Sequence, residues 1–295
     1  MAIGVAQFRP RLFGVAYRMV GDTHDAEDLV QEAFLRWHRA SRADVSNPEA
    51  WLVKAVTRLA IDRLRARRAE RAAYPGQWLP TPIAPDRLAA SADQATELAS
   101  ELSMAFLVLM ERLAPEERAA FLMRDICGSS YADIATVLKR SEVAARQVVS
   151  RARTRVRADR ARFRGSGLDR HDVLERFLAA LQAEDAAGLL ALFAPDATFT
   201  SDGGGRRGSA RQVIRGADRV VRLLRALEQK RRAVSAWGVA TLNGELALLL
   251  RDGTRTLSAT FFATDGERIV AVFRVLDPRK LEDASRVPVE GGWAS

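Results

Sequence analysis

The chain has little of the chemistry from which covalent or metal centres are built. Its 295 residues include one cysteine, Cys127, which excludes an internal disulfide framework and a cysteine-rich zinc site. Three histidines, His24, His38 and His171, lie far apart in sequence and leave little for a metal cluster. No metal and no cofactor are expected. No apolar run approaches the roughly 20 residues that cross a bilayer. In the opening MAIGVAQFRPRLF, Arg9 and Pro10 stand where a signal peptide needs its apolar stretch. The expectation is a cytoplasmic protein with no membrane partner. Lysine is also scarce: all but four of the 46 basic residues are arginine. That choice suits bidentate recognition of phosphate and guanine, and equally fits a GC-rich coding bias.

What is present is a globular composition. With 48% hydrophobic residues, disorder is excluded, and on a prior of roughly 150 residues per domain the length suggests more than one core. The net charge of +9 is uneven. Residues 1–164 carry 27 basic and 20 acidic side chains, against 19 and 17 in 165–295, so the first part is the one expected to touch a polyanion. Apolar residues recur at helical spacing over 5–70 (Leu12, Val15, Met19; Leu29, Ala33, Leu35, Trp37; Leu52, Ala55, Leu59) and again over 97–160. Between them Pro75, Pro80, Pro82 and Pro85 interrupt periodicity and mark a linker. After the joint at 164–167 the pattern changes. An amphipathic helix spans Asp169 to Glu184 and a shorter one ends near Pro195. Asn243-Gly244, Asp252-Gly253 and Asp265-Gly266 then supply the positive φ of hairpin turns in an antiparallel meander, with helices on one face.

Three segments carry functional signals. In His24–Trp37, acids gather at one end of a helix and apolar residues on one face, a pattern that on charge alone also describes an ordinary surface helix with a favourable acidic first turn. In Trp51–Arg68, Lys54, Arg58, Arg65 and Arg68 line a cationic stripe, either a phosphate-binding face or a solvated one. In Ser130–Arg153, small Ala135, capping Ser141 and an exposed polar set (Arg146, Gln147, Ser150, Arg151) fit a helix-turn-helix.

The first string resembles region 2.2 of bacterial extracytoplasmic-function sigma factors, the second regions 2.3 and 2.4, and the third, after Leu113-Ala114-Pro115-Glu116-Glu117-Arg118, region 4. The resemblance implies that Asp25, Asp28, Gln31, Glu32 and Arg36 contact core RNA polymerase (β and β′ subunits), the helix docking on the β′ clamp. It implies that Asn47, in the loop 41–48, with Lys54, Arg58, Arg65 and Arg68, holds the minus 10 element. Arg146, Gln147, Ser150, Arg151 and Arg153 would read the minus 35 element of promoter DNA. The arginines from 153 to 164 would add phosphate grip or solvated exterior. Ala144, Ala145, Val148 and Val149 make this recognition helix more apolar than is common in that family.

Residues 169–281 resemble the SnoaL-like fold, a cone of curved antiparallel sheet closed by helices, and so the subgroup of these sigma factors with a C-terminal SnoaL-like extension. Members carry Trp-Leu-Pro-Glu-Pro, Asp-Gly-Gly-Gly-Lys and Asn-Pro-Asp-Lys-Leu. Here these read Trp78-Leu79-Pro80-Thr81-Pro82, Asp202-Gly203-Gly204-Gly205-Arg206 and Asp277-Pro278-Arg279-Lys280-Leu281. The resemblance implies a regulatory, intramolecular contact of the C-terminal domain with the sigma core through these strings, although four substitutions put the relatives' charge pairs in doubt.

The expected architecture is multidomain: a helical sigma region 2 domain (1–72), a Pro-rich linker (73–96), a helical region 4 helix-turn-helix domain (97–164), an α+β SnoaL-like cone (168–285) and a tail (286–295). The expected function is that of a non-enzymatic sigma factor whose C-terminal domain regulates it. The alternatives are a SnoaL-like enzyme or ligand-sensing domain fused to a helix-turn-helix DNA-binding regulator, and a simple repressor.

Overall fold

The structure is a computed structural model that describes residues 5–40, 45–88, 101–160, 163, 167–206, 208–231 and 236–293. The chain divides into two compact units. One gathers residues 1–72, 86–95 and 107–158; the other gathers 73–85, 96–106 and 159–295.

The first unit is helical, and local caps set its boundaries. Helix α1 (Arg9–Val20) starts with Pro10 in its first turn and stops at Gly21, whose φ of 68° is the left-handed cap position. Helix α2 (Thr23–Arg39) is capped by Asp22, which accepts from the Asp25 amide at 3.1 Å. Helix α3 (Pro48–Ala66) is capped by Asn47, which accepts from Ala50 N at 2.9 Å. Their buried faces meet through Leu12, Val15, Met19, Leu29, Ala33, Leu52 and Val56. Leu35, expected on that stripe, is instead 43% exposed.

The second helical block of this unit contains α4 (Pro115–Phe121), a π turn (Leu122–Ile126), α5 (Tyr131–Leu138) and α6 (Glu142–Arg160). Gly128, with a φ of 69°, follows the break expected at Cys127. Lys139 adopts φ 54° between α5 and α6, and Ser141 Oγ accepts from Ala144 N at 3.3 Å, which gives the tight turn of a helix-turn-helix. Ala145, Val148 and Val149 are buried. The unusual apolarity of the recognition helix is therefore core packing.

The second unit is α+β. Helices α7 (Gly167–Gln182), α8 (Ala186–Ala191) and α9 (Ala217–Arg231) accompany a seven-stranded sheet. Its strands are β1 (Phe193–Asp202), β2 (Ile214–Arg215), β3 (Ala236–Leu242), β4 (Glu245–Asp252), β5 (Arg255–Thr264), β6 (Ile269–Val275) and β7 (Glu290–Trp293), in the order β2-β1-β6-β5-β4-β3-β7. The meander β3–β6 and its Gly-containing turns match expectation; Asn243 and Gly244 have φ of 54° and 69°. Phe177 of α7 packs on Phe262 of β5, centroids 4.8 Å apart, within a core that includes Leu174, Leu178, Val220, Leu248 and Val272.

Four expectations are corrected. The sheet is mixed, because β1 runs parallel to β6. The short helix ends at Ala191, and Pro195 lies inside β1. Residues expected as a tail include β7, paired with β3. Finally, Leu79–Ala84 is buried and 73–85 belongs to the α+β unit, so this proline stretch is not a free linker. Its prolines deny amides to helix and sheet but suit an extended strap. Truncating the central ring, Phe177→Ala, is expected to destabilise this unit by about 3–5 kcal/mol, as checked by its urea unfolding transition.

Candidate functional site

On α2, Asp28, Gln31, Glu32, Leu35 and Arg36 fall at i, i+3, i+4, i+7 and i+8, which puts them on one outward face. Arg36 bonds Glu32 at 2.9 Å, which orders the stripe, and the exposed Leu35 provides an apolar centre. Asp25 departs from the expected set. It is 3% exposed and turned inward, where it pairs with Arg63 at 2.5 Å and also with Arg67. Burial raises its pKa above the usual carboxylate range, against the pull of Arg67. Its place in the structure is to hold α2 on α3.

The cationic stripe of α3 forms, but it is occupied within its own unit. Lys54 Nζ pairs with Asp133 of α5 at 2.9 Å, and Arg58 Nη2 donates to the Thr136 carbonyl oxygen at 2.9 Å. Arg65 Nε donates to Glu116 of α4 at 3.0 Å. Below this row Glu111 accepts from Arg71 at 3.1 Å and from Arg118 at 2.7 Å. Asp133 is held below its ordinary pKa by the Ser130 hydroxyl and then by Lys54. Burial opposes the same shift at Glu116, yet Arg65 holds that carboxyl low as well. A depressed folded-state pKa favours the pairing above the ordinary carboxylate range, and the advantage is lost as pH falls through the lowered value. Arg68 and Asn47 are exposed. Residues 41–44 of the expected base-binding loop lie outside the described residues.

On α6, Arg146, Gln147, Ser150 and Arg151 all face solvent. Arg146 lies 4.2 Å from the Tyr131 ring centroid, a cation–π contact that aims the guanidinium. Arg153 is committed elsewhere, bonding both oxygens of Asp125 at 3.0 and 3.1 Å, and Arg155 pairs with Glu117 at 2.5 Å. Those two arginines anchor α6 to its own block.

In the α+β unit the three short strings converge on one clamp. Asp202, fully buried at the end of β1, accepts from Lys280 Nζ at 2.7 Å and Leu79 N at 2.9 Å through Oδ2. Through Oδ1 it accepts from Tyr74 Oη at 2.6 Å and Gly204 N at 3.1 Å. Lys280 also donates to the Leu79 carbonyl oxygen at 2.6 Å and lies 4.0 Å from the Trp78 ring centroid. Burial and then the Asp202 bond push the Tyr74 hydroxyl pKa up, so it stays a donor. The glycines are required here. A Cβ on Gly204 would come within 2.5 Å of Asp277 Oδ2, and one on Gly205 within 2.7 Å of Pro75 Cγ. Pro80 and Pro82 are buried in the strap, while Pro278 starts the turn that presents Lys280, with Leu281 buried behind it. Asp277 and Arg279 pair with each other at 2.7 Å, so two of the departures from the relatives' strings compensate locally.

A second clamp was not legible beforehand. Buried Asn243 donates from its amide to the Ile83 carbonyl oxygen at 2.9 Å and accepts from Ile83 N at 3.1 Å. Its Nδ2 donates to the Leu102 carbonyl oxygen at 3.0 Å. Glu245 accepts from Met104 N at 2.6 Å. The Asn-Gly pair announced a turn, and nothing local announced that the turn would grip a strap 160 residues upstream.

Family models match along the chain in the same order: Sigma-70 region 2 over residues 5–70, Sigma-70 region 4 over 103–156, and the SnoaL-like domain over 174–282. ECF RNA polymerase sigma factor SigJ of Mycobacterium tuberculosis is 37% identical over 284 residues, covering 92% of this chain and 90% of that protein. This chain belongs to the ECF RNA polymerase sigma factors. The crystal structure of Mycobacterium tuberculosis SigJ superposes with a TM-score of 0.73 at 33% identity, covering 95% of this sigma factor and 98% of that chain. A probable ECF sigma factor, SigI of the same species, is 33% identical over 216 residues, 72% of this chain and 71% of its own length. Among the described residues no helix is long and apolar enough to cross a membrane.

The clamp makes a direct prediction. Asp202→Asn leaves Lys280 buried without its counter-charge and should cost about 3–5 kcal/mol, whereas replacing both partners with apolar residues (Asp202→Leu with Lys280→Met) should restore most of it. Limited proteolysis within 73–85 reads the outcome: cleavage should rise in the single variant and fall back in the double.

Proposed function

We propose that this sigma factor binds core RNA polymerase through the outward face of α2, recognises promoter DNA through α3 and α6, and is regulated by its α+β unit through the strap. The observation that carries this reading is the likeness to a named sigma factor over 92% of the chain. The exposed stripe Asp28, Gln31, Glu32, Leu35 and Arg36 supports a docking face with an apolar centre and a charged rim, directed at the β′ clamp. Asp25 supports it from behind. The exposed α6 set, Arg146, Gln147, Ser150 and Arg151, suits the major groove of a minus 35 element. The minus 10 set is Asn47, Lys54, Arg58, Arg65 and Arg68. The site of action is the cytoplasm, and the chain performs no covalent chemistry of its own.

The pairing of α3 with α4 and α5 gives the mechanism its first step. Lys54, Arg58 and Arg65 cannot reach DNA phosphates while Asp133, the Thr136 carbonyl and Glu116 hold them, so the helical blocks must separate and exchange carboxylates for phosphates. Separation needs slack in the chain between the blocks. Clamps at Leu79, Ile83 and Met104 remove slack, and releasing the strap returns it. Polymerase contributes by binding the separated form, which shifts the population toward it.

Run-off transcription with purified core enzyme tests the assignment, since a repressor would never initiate. Leu35→Asp should weaken core binding at least ten-fold without loss of fold. Asp133→Ala with Glu116→Ala should raise the affinity of the full chain for promoter DNA several-fold. It should also steepen the fall of log affinity with log salt by about 1–2, because freed cations meet phosphates. Fluorescence anisotropy at several salt concentrations measures both.

A further inference from the structure

One apolar side chain of the helix-turn-helix has no role in packing. Ala145, Val148, Val149 and Ala152 of α6 are buried, but Val143 is 67% exposed, well beyond Leu35 at 43% or Leu190 at 38%. It is the second residue of α6, and a helical side chain leans over the turn before its own, here the exposed Arg140 and Ser141. Nor does valine help the helix form, since its branched side chain loses rotamer freedom that an alanine does not have.

Its surroundings are cationic. Val143, Arg146, Gln147, Ser150 and Arg151 fall at i, i+3, i+4, i+7 and i+8, so one exposed face carries all five, and exposed Lys139 and Arg140 flank its start. Glu142, the acid of the first turn, lies 3.8 Å from Arg146. The Tyr131 ring holds Arg146 with its centroid 4.2 Å from the guanidinium carbon and also takes Arg124 at 4.6 Å, so Arg146 keeps a set place beside Val143. An apolar spot rimmed by cations fits a polyanion that also displays an apolar group. The major groove of DNA does so through the C5 methyl of thymine, whereas uracil lacks that methyl and the deep, narrow major groove of an RNA helix excludes side chains.

We propose that Val143 packs on a thymine methyl in the minus 35 element and is a specificity-determining residue of this sigma factor. The proposal rests on the reading of α6 as the minus 35 helix, whose N-terminal residues would meet base edges. It also fixes where the thymine stands. Residues three apart on a helix have Cβ atoms about 5–6 Å from each other, and bases along a strand are about 3.4 Å apart. The thymine therefore lies within two base pairs of the base that Arg146 contacts.

The test uses the full chain loaded on core RNA polymerase. A promoter is first selected from duplexes randomised over the minus 35 element, by the wild type and by Arg146→Ala, and the position that the variant relaxes marks the Arg146 base. Each thymine of the wild-type element is then replaced by deoxyuridine, which removes only the methyl, and affinity is read by fluorescence anisotropy. At one thymine within two base pairs of the Arg146 base, the loss should weaken wild-type binding about four-fold, the worth of one buried methyl. Val143→Ala should bind the thymine duplex as weakly as the wild type binds the deoxyuridine duplex, and should be indifferent to the replacement. A selected element with no thymine there, no effect of deoxyuridine, or an equal effect in Val143→Ala would each overturn the proposal. A Val143→Ala variant that weakens every duplex alike would overturn it too, and would give the side chain to a protein surface. These results leave the assignment of α6 standing as long as Arg146→Ala relaxes the selection; failure of the holoenzyme to select any minus 35 sequence would bring down both.

Discussion

The α+β unit is organised around a carboxylate and an ammonium with no water between them. Asp202 and Lys280 are worth having together only because each fills its remaining valences with the strap: the amide and carbonyl of Leu79, the Tyr74 hydroxyl and the ring of Trp78. An ion pair sealed in this way is sensitive to the loss of any member, since the penalty falls on whichever charge is left behind. The glycines, the buried prolines and the turn before Lys280 all serve this packing. A segment that by composition resembles a tether is thereby made part of a domain.

The helical unit applies the same electrostatics to a different end. Carboxylates of one block sit on cations of the other at hydrogen-bonding distances, so the protein satisfies its basic stripe with its own acids. Such pairs are half-exposed and individually weak. Their number, more than the strength of any one, holds the row together.

Much of this was readable in the sequence, for physical reasons. Helix limits follow from neighbours in the chain: Asp22, Asn47 and Ser141 cap within three residues, and Gly21 and Gly128 take conformations few other residues tolerate. The hairpins of the meander are equally local. What sequence reading missed depends on partners far away in the chain. The parallel pairing of β1 with β6, the strand β7 in a stretch with two adjacent glycines, and the grip of Asn243 on Ile83 leave no periodic trace. Charge patterning identified the acidic tip of α2 but not that Asp25 faces inward, because Arg63 and Arg67 lie about forty positions downstream. Leu35 erred the other way: its spacing placed it in the core, and the fold left it at the surface.

The two grips on the strap are four residues apart, at Leu79 and Ile83, and each fixes both the amide and the carbonyl of its residue. An extended chain rises about 3.3–3.6 Å per residue, so one added or deleted residue between them moves a grip out of reach and flips the alternation of its side chains. Length in this interval is therefore quantised. Insertions and deletions are confined to the chain outside it, and the strap works as a ruler whose marks are hydrogen bonds.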